Sequence, residues 1–185
     1  MRSATRALVP ALAFCAALAC STLRVSDDYD PAVDFAKYHT YAWLPDQPTP
    51  TGRPRLDSPL VQDRIHKAID AALAAKGYRL SAESPDFLVR YDLTAERRVD
   101  VSTYDTPYYS RYGYRMALPE TVVREYDEGS LIIDVADAQQ KRVIWRGIGQ
   151  ARLRGESAPT DPAQVKERVD EVVNGVLEKF PPKAK

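Results

Sequence analysis

GSLIIDVADAQQKRVIWRGIGQARL, residues 129–153, contains two apolar runs on either side of a short polar stretch, and its reading decides the fold. Leu131, Ile133 and Val135 alternate with smaller or polar neighbours, and Val143 and Trp145 repeat the pattern. A period of two places alternate side chains on one side of an extended chain, so residues 131–136 and 143–153 read as strands buried on one face. Asp137 to Lys141 is too short and too polar for a third element, and it turns the first strand back onto the second.

Working outward, PDFLVRYDLTAE gives another strand, with Phe87, Val89, Tyr91 and Leu93 on one side and Arg90, Asp92 and Thr94 on the other. Residues 122–126 read as one more, joined to 131–136 by a tight turn at Glu128-Gly129. LRVSDDYD and HTYAWLP, near the start, are short strand candidates.

Two segments change period. In residues 59–76, Val61, Ile65, Ile69, Ala72 and Leu73 recur at spacings of three and four, the stripe of a helix with one buried side. Asp57 or Ser58 can cap it, Pro59 suits its first turn, and Gly77 suits the left-handed residue after its end. His66 falls between Gln62 and Asp70, away from that stripe. The second helix is expected over 162–180, capped by Asp161, striped by Val165, Val169, Val172, Val173, Val176 and Phe180, and stopped by Pro181-Pro182. Gly175 inside it permits close packing.

Strands joined by short turns, with two amphipathic helices, make an α+β two-layer sandwich: a largely antiparallel sheet with both helices on one face. PDQPTPTGRPR, residues 45–55, is then a surface loop and not a domain linker.

The first residues are different in kind. Arg2 and Arg6 precede an apolar run from Ala7 to Leu18, too short for a membrane span of about 20 residues and arranged as a secretory signal is. Ala17-Leu18-Ala19-Cys20 is similar to a lipoprotein cleavage box, with Ala17 where leucine is commonest. The expectation is a lipoprotein signal peptide over 1–19 and a single domain over 20–185, with Cys20 as the site of lipid attachment. Both cysteines, Cys15 and Cys20, lie in this segment, so the rest of the chain has neither a disulfide nor a catalytic thiol. Ser21 after the anchor resembles the outer-membrane sorting signal of lipoproteins, which implies an envelope location facing the periplasm. Removing Arg2 and Arg6 from the 26 basic side chains leaves 24 against 26 acidic ones, a balance that gives no reason to expect nucleic acid as partner.

DYDPAVDFAKYHTYAWLP, PDFLVRYD, the 129–153 hairpin and the closing VLEKFPP together resemble the DUF4136 group of bacterial lipoproteins. The most specific pieces are Tyr41-Ala42-Trp43 and Trp145-Arg146-Gly147. This resemblance implies an exported, usually lipidated envelope protein with one α/β domain, and it carries over no catalytic residues.

The residues needed for most enzyme chemistry are sparse. His39 and His66 are the only histidines, and no Gly-x-Ser-x-Gly elbow is present, which disfavours nucleophilic catalysis and His/Cys metal ligation. Asp27, Asp28, Asp30 and Asp34 form an acidic stretch without the glycine of a calcium loop and read as turn aspartates. Gly147 and Gly149 start like a dinucleotide fingerprint but sit in a strand with no helix after them, so they read as relief beside Trp145 or a bulge. No cofactor or metal is expected. One stretch has an unusual bias: YDTPYYSRYGYR collects Tyr104, Tyr108, Tyr109, Tyr112 and Tyr114 with Arg111 and Arg115. Tyrosine and arginine supply rigid contact area and forked hydrogen bonds, the composition of a surface that grips a protein or glycan. The sequence therefore points to a lipid-anchored envelope protein acting as a non-catalytic binding or structural module. The alternative is a carboxylate-dependent enzyme acting on cell-wall glycan, for which Glu83, Glu120 and Glu125 are candidates.

Overall fold

The expected turn at 137–141 is built around one carboxylate. Asp137 accepts hydrogen bonds from the amides of Gln139 at 2.8 Å and Gln140 at 2.6 Å, and from the Tyr38 hydroxyl at 2.7 Å. The computed structural model describes residues 23–45, 48–109, 115–153 and 161–183, with 105–109 and 115–120 described by their backbone alone. Strands β1 (Arg24–Tyr29), β2 (Thr40–Trp43), β3 (Arg79–Leu80), β4 (Phe87–Tyr109), β5 (Arg115–Asp137) and β6 (Arg142–Leu153) form one sheet in the order β1-β6-β5-β4-β2-β3. Helices α1 (Pro59–Ala75) and α2 (Pro162–Leu177) cover one face, as the α+β reading requires.

The sheet is antiparallel except at β2, which runs parallel to both β3 and β4. A parallel neighbour needs a long crossover, and α1 supplies it between β2 and β3. Asp86 then fastens β2 to the start of β4: its carboxylate accepts from the amides of His39 and Thr40 at 2.8 Å and from the Thr40 hydroxyl at 2.9 Å.

The expected helix stripes face the core, α1 burying Ile65, Ile69, Ala72 and Leu73, and α2 burying Val173 and Val176 together with Leu177, which lies outside the expected stripe, while Val61, Val165, Val169 and Val172 are half-buried. The second helix ends at Leu177, three residues short of the expectation. Phe180 still enters the core, carried there by a turn in which its amide bonds the carbonyl of Leu177. Ser58 occupies the cap position of α1 without a side-chain cap bond, and Asp57, the other candidate, is taken by the amide and hydroxyl of Thr51 at 2.8 and 2.9 Å. Gly77 has φ of +89°, the left-handed conformation foreseen for it.

Trp145, Phe87 and Phe180 form the centre of the core, with ring centroids 5.1 to 5.8 Å apart where they meet. Gly147 is required by this packing: a β-carbon there would lie 2.3 Å from the Trp145 ring and 2.6 Å from Val176. These glycines relieve crowding, while the sheet's register shift lies nearby, at Val135/Ala136 opposite β6.

Glu128-Gly129 is not a turn. The two strands expected over 122–126 and 131–136 are parts of the continuous β5, in which Gly129 pairs with Ala95 on one side and Ala151 on the other. Glycine serves here to admit the side chain of Leu153, which would sit 2.9 Å from an added β-carbon. With that turn removed, β4 and β5 become a hairpin of 23 residues per strand.

The hairpin outgrows the sheet. β6 accompanies β5 only as far as Asp127↔Leu153, and beyond Arg97↔Asp127, among the described residues, β4 and β5 pair with each other alone. Twelve further pairs, ending at Tyr109↔Arg115, make a two-stranded arm about 40 Å long. Arg24 pairs with Gln150, so β1 begins at the same end of the sheet from which the arm leaves.

Candidate functional site

The tyrosine and arginine segment falls on the far part of this arm. Tyr104, Tyr108 and Tyr109 lie on β4 and Arg115 opens β5, while Arg111, Tyr112 and Tyr114 lie outside the described residues, as does Cys20. Tyr104 is 54 % exposed on the face away from the helices. On the helix side of the arm, Val99, Val101 and Val123 are 57, 61 and 59 % exposed, with Val101 directly opposite Val123. A two-stranded ribbon has no core of its own, so these valines are held in water by the strand pairing alone. Its root is braced by Arg53, whose guanidinium holds both carboxylate oxygens of Asp127 at 2.7 Å.

The helix-free face of the sheet carries a lattice of ion pairs. Asp134, 3 % exposed, accepts from Arg146 at 2.6 and 2.8 Å and has Arg90 at 3.8 Å. Farther along, Arg98 bridges Glu128 at 3.2 Å and Glu96 at 3.1 Å, and Arg152 stacks 3.7 Å above the Tyr126 ring. Arg146 and Arg98 are half exposed and shield Asp134 and Glu128 beneath them, while Glu96 stays exposed beside Arg98, so the face is polar yet its buried carboxylates are neutralised.

A third feature lies where the first turns of α1 pass the edge of β4 beyond the end of β2. Trp43, His66 and Tyr91 meet there, with His66 3.7 Å from the Trp43 ring and edge-on to Tyr91 at 5.7 Å. They line a cleft of 570 Å³ together with Gln62, Asp63, Lys67 and Arg90. Asp70 fixes the indole by accepting from Trp43 Nε1 at 3.0 Å, and accepts the Tyr41 hydroxyl at 2.7 Å as well. Burial lowers the His66 pKa from its ordinary value against the opposing pull of Asp70 and Asp63, so the fold favours the neutral ring. Tyr91 is 5 % exposed, burial pushes its hydroxyl up to about 12, and that hydroxyl has no hydrogen-bond partner among the described residues. His66 is therefore not on the solvent face of α1: the row Gln62, His66, Asp70 is the wall of the cleft. The sequence showed that row at a spacing of four, but Trp43 and Tyr91 come from other elements and no local pattern links them to it.

The carboxylates considered for glycan hydrolysis do not converge. Glu83 precedes β4, whereas Glu125 pairs with Val99 on the arm, about 40 Å along the strand. Glu120 and Glu125 are five residues apart along β5, about 17 Å. Acid pairs in glycosidases stand about 5 to 9.5 Å apart. Of the acidic stretch near the start, Asp30 engages Arg142 and the amide of Ala32, and Asp34 caps the short turn Phe35–Lys37. Among the described residues no group of three or more His, Cys, Asp or Glu is placed to hold a metal ion, and no helix is long and apolar enough to cross a membrane.

A family model described as a domain of unknown function, DUF4136, matches residues 25–182. No curated protein matches the chain. Among solved structures, a PDZ domain protein from Parabacteroides distasonis is similar at 17 % identity over 88 % of this chain, with a TM-score of 0.48. This chain spans 36 % of that protein's length. The PelC dodecamer from Paraburkholderia phytofirmans is similar at 11 % identity over 84 % of this chain and 94 % of its own, with a TM-score of 0.45.

Proposed function

The chain belongs to the DUF4136 family, and from that premise we propose that it is a lipid-anchored, non-catalytic binding module of the bacterial envelope whose arm grips another envelope protein. The observation that carries this reading is the arm: twelve strand pairs without a third strand among the described residues, presenting Val99, Val101, Val123 and Tyr104 more than half exposed. Long two-stranded ribbons with exposed β-branched side chains are aggregation hazards unless something covers them. A partner that buried these valines would supply the missing packing. The Tyr/Arg segment at the far end adds the residue types that dominate contact energy in interfaces.

In this reading Cys20 carries the lipid, the membrane is the outer one, and the domain faces the periplasm. Nothing in the geometry favours the glycan-cleaving alternative, since its candidate acids lie too far apart along the strands to act as a pair. The experiment is chemical cross-linking in native membranes followed by recovery of the chain, comparing wild type with Cys20→Ala and with a Val101→Arg/Tyr104→Ala arm variant. The wild type is expected to be membrane-bound and to hold a defined partner. Cys20→Ala should move to the soluble periplasm, and the arm variant should lose the partner while unfolding at the wild-type temperature. Unchanged recovery of the partner with the arm variant would overturn the arm as the grip. An unmodified, soluble wild type would overturn the anchor.

A further inference from the structure

We propose that the cleft between α1 and the edge of β4 is a second binding site, separate from the arm, and that it takes a neutral sugar ring. Its walls already suit such a ligand. One side is aromatic: Trp43 is held in orientation by its bond to Asp70, with the His66 ring tilted against it at 38° and 3.7 Å between centroids. Pro45, Pro48 and Pro59 form a rigid part of the rim. Gln62, one turn before His66 on α1, adds a polar group to the lining. Pyranoses present a C–H face that packs on aromatic rings and a ring of hydroxyls that need donors and acceptors, and this cleft offers both kinds of group.

Charge selects the class of ligand. Lys67 is bound to Asp63 at 2.7 Å, Asp70 is occupied by two hydrogen bonds, and Arg90 is engaged by Asp92 and Asp134. The cationic and anionic side chains of the cleft thus already have opposite charges or donors of their own. An ionic ligand would have to break these pairs, whereas a polyhydroxyl ligand need not. Size agrees as well, because 570 Å³ lies within the range of about 300 to 1,000 Å³ occupied by small-molecule sites.

The floor supplies an independent sign. Tyr91 is buried beside His66, and its hydroxyl makes no hydrogen bond among the described residues. An orphaned buried hydroxyl is costly, and a site kept that way gains most from a ligand that answers it. Turning the imidazole aside would bring a sugar hydroxyl within reach of Tyr91. His66 acts here as a positioning residue: it covers the floor when the cleft is empty and stacks against the ring when it is filled.

The chain contains two tryptophans, and the fold separates their signals, since Trp145 is 0 % exposed in the core while Trp43 lines the cleft. Tryptophan emission of the whole protein should be followed during titration with cellobiose, maltose and N,N′-diacetylchitobiose, with glucuronic acid as the charged comparison. The expected result is a saturable change with at least one neutral disaccharide, weakened about tenfold in Gln62→Ala, the loss of one or two hydrogen bonds. The same change should survive in the Val101→Arg/Tyr104→Ala arm variant, which separates this proposal from the arm's role. His66→Ala adds a second variant, and urea unfolding confirms that each is folded. No saturable change with any neutral sugar would overturn the proposal, as would binding that Gln62→Ala and His66→Ala leave untouched. Saturation by glucuronic acid alone would overturn the neutral class.

Discussion

Replacing Gly147 with alanine tests the packing logic of the core at a single atom. The added β-carbon would meet the Trp145 ring at 2.3 and 2.8 Å and Val176 Cγ1 at 2.6 Å, where ordinary carbon contacts begin near 3.4 Å. The indole cannot turn aside, since Trp145 is fully buried and its ring lies 5.1 Å from that of Phe180. Relief must come from α2 lifting off β6 by about 1 Å, which loosens Val173, Val176 and Leu177 together. Overpacking of this kind costs about 1 to 3 kcal/mol, and two rigid collisions place this site near the top, at about 3 kcal/mol. For a chain of this size that is a loss of about 6 to 12 °C in Tm. Gly129→Ala is the internal control. Its new atom meets only the flexible end of Leu153, at 2.9 Å, and should cost less than about 1 kcal/mol. Gly77→Ala separates crowding from conformation, because nothing lies within 4 Å of its β-carbon and its φ of +89° alone predicts a loss of about 1 to 2 kcal/mol. Urea and thermal unfolding of the three variants give the order directly. Gly147→Ala indistinguishable from Gly129→Ala would refute the reasoning.

His66 gives stability a pH dependence. Its pKa is lowered by burial in the folded state, so the unfolded chain binds the proton more readily, and stability is complete above the unfolded value of about 6.5 and declines as pH falls through it. The urea midpoint should fall from pH 8 to pH 5 by less in His66→Gln than in wild type. Asp134→Ala should cost about 1 to 3 kcal/mol, less than a fully buried pair because Arg146 is half exposed, whereas Asp134→Val with Arg146→Val should recover most of the loss; equal loss in the double variant would count against the ion pair as the cause. Arg53→Ala should change global stability by under about 1 kcal/mol yet raise amide hydrogen exchange over residues 98–104, measured by mass spectrometry, since it releases the brace on Asp127.

What the sequence made legible is what repeats locally. Phe87, Val89, Tyr91 and Leu93 announce a strand because alternation is a property of the backbone itself, and Ile65, Ile69 and Leu73 announce a helix for the same reason. Gly129 misleads because a glycine is compatible with both a turn and a close approach, and only the position of Leu153 on a neighbouring strand distinguishes them. The parallel course of β2 also has no local sign, as it depends on α1 being used as a crossover. Asp134 reads as an outward residue of an alternating strand, which it is, but its burial is the work of Arg146 on β6. The cleft was least legible, since Trp43, His66 and Tyr91 belong to β2, α1 and β4 and meet only when the three are assembled.

The point at which β1 begins has a consequence for how the molecule lies. Arg24 lies four residues on from Cys20, the proposed lipid site, a tether of at most about 14 Å. Arg24 is level with Thr94 across the sheet, and β4 runs on from there for another fifteen residues to Tyr109, about 50 Å. Pointed straight down, the arm would drive Arg98, Asp100 and Glu125 through a hydrocarbon layer about 30 Å thick, and pointed straight up it would require the sheet to leave the anchor behind. If Cys20 carries the proposed lipid, a short leash at the root of a long arm would lay the strands along the bilayer, so that the arm reached sideways and met partners in the same leaflet.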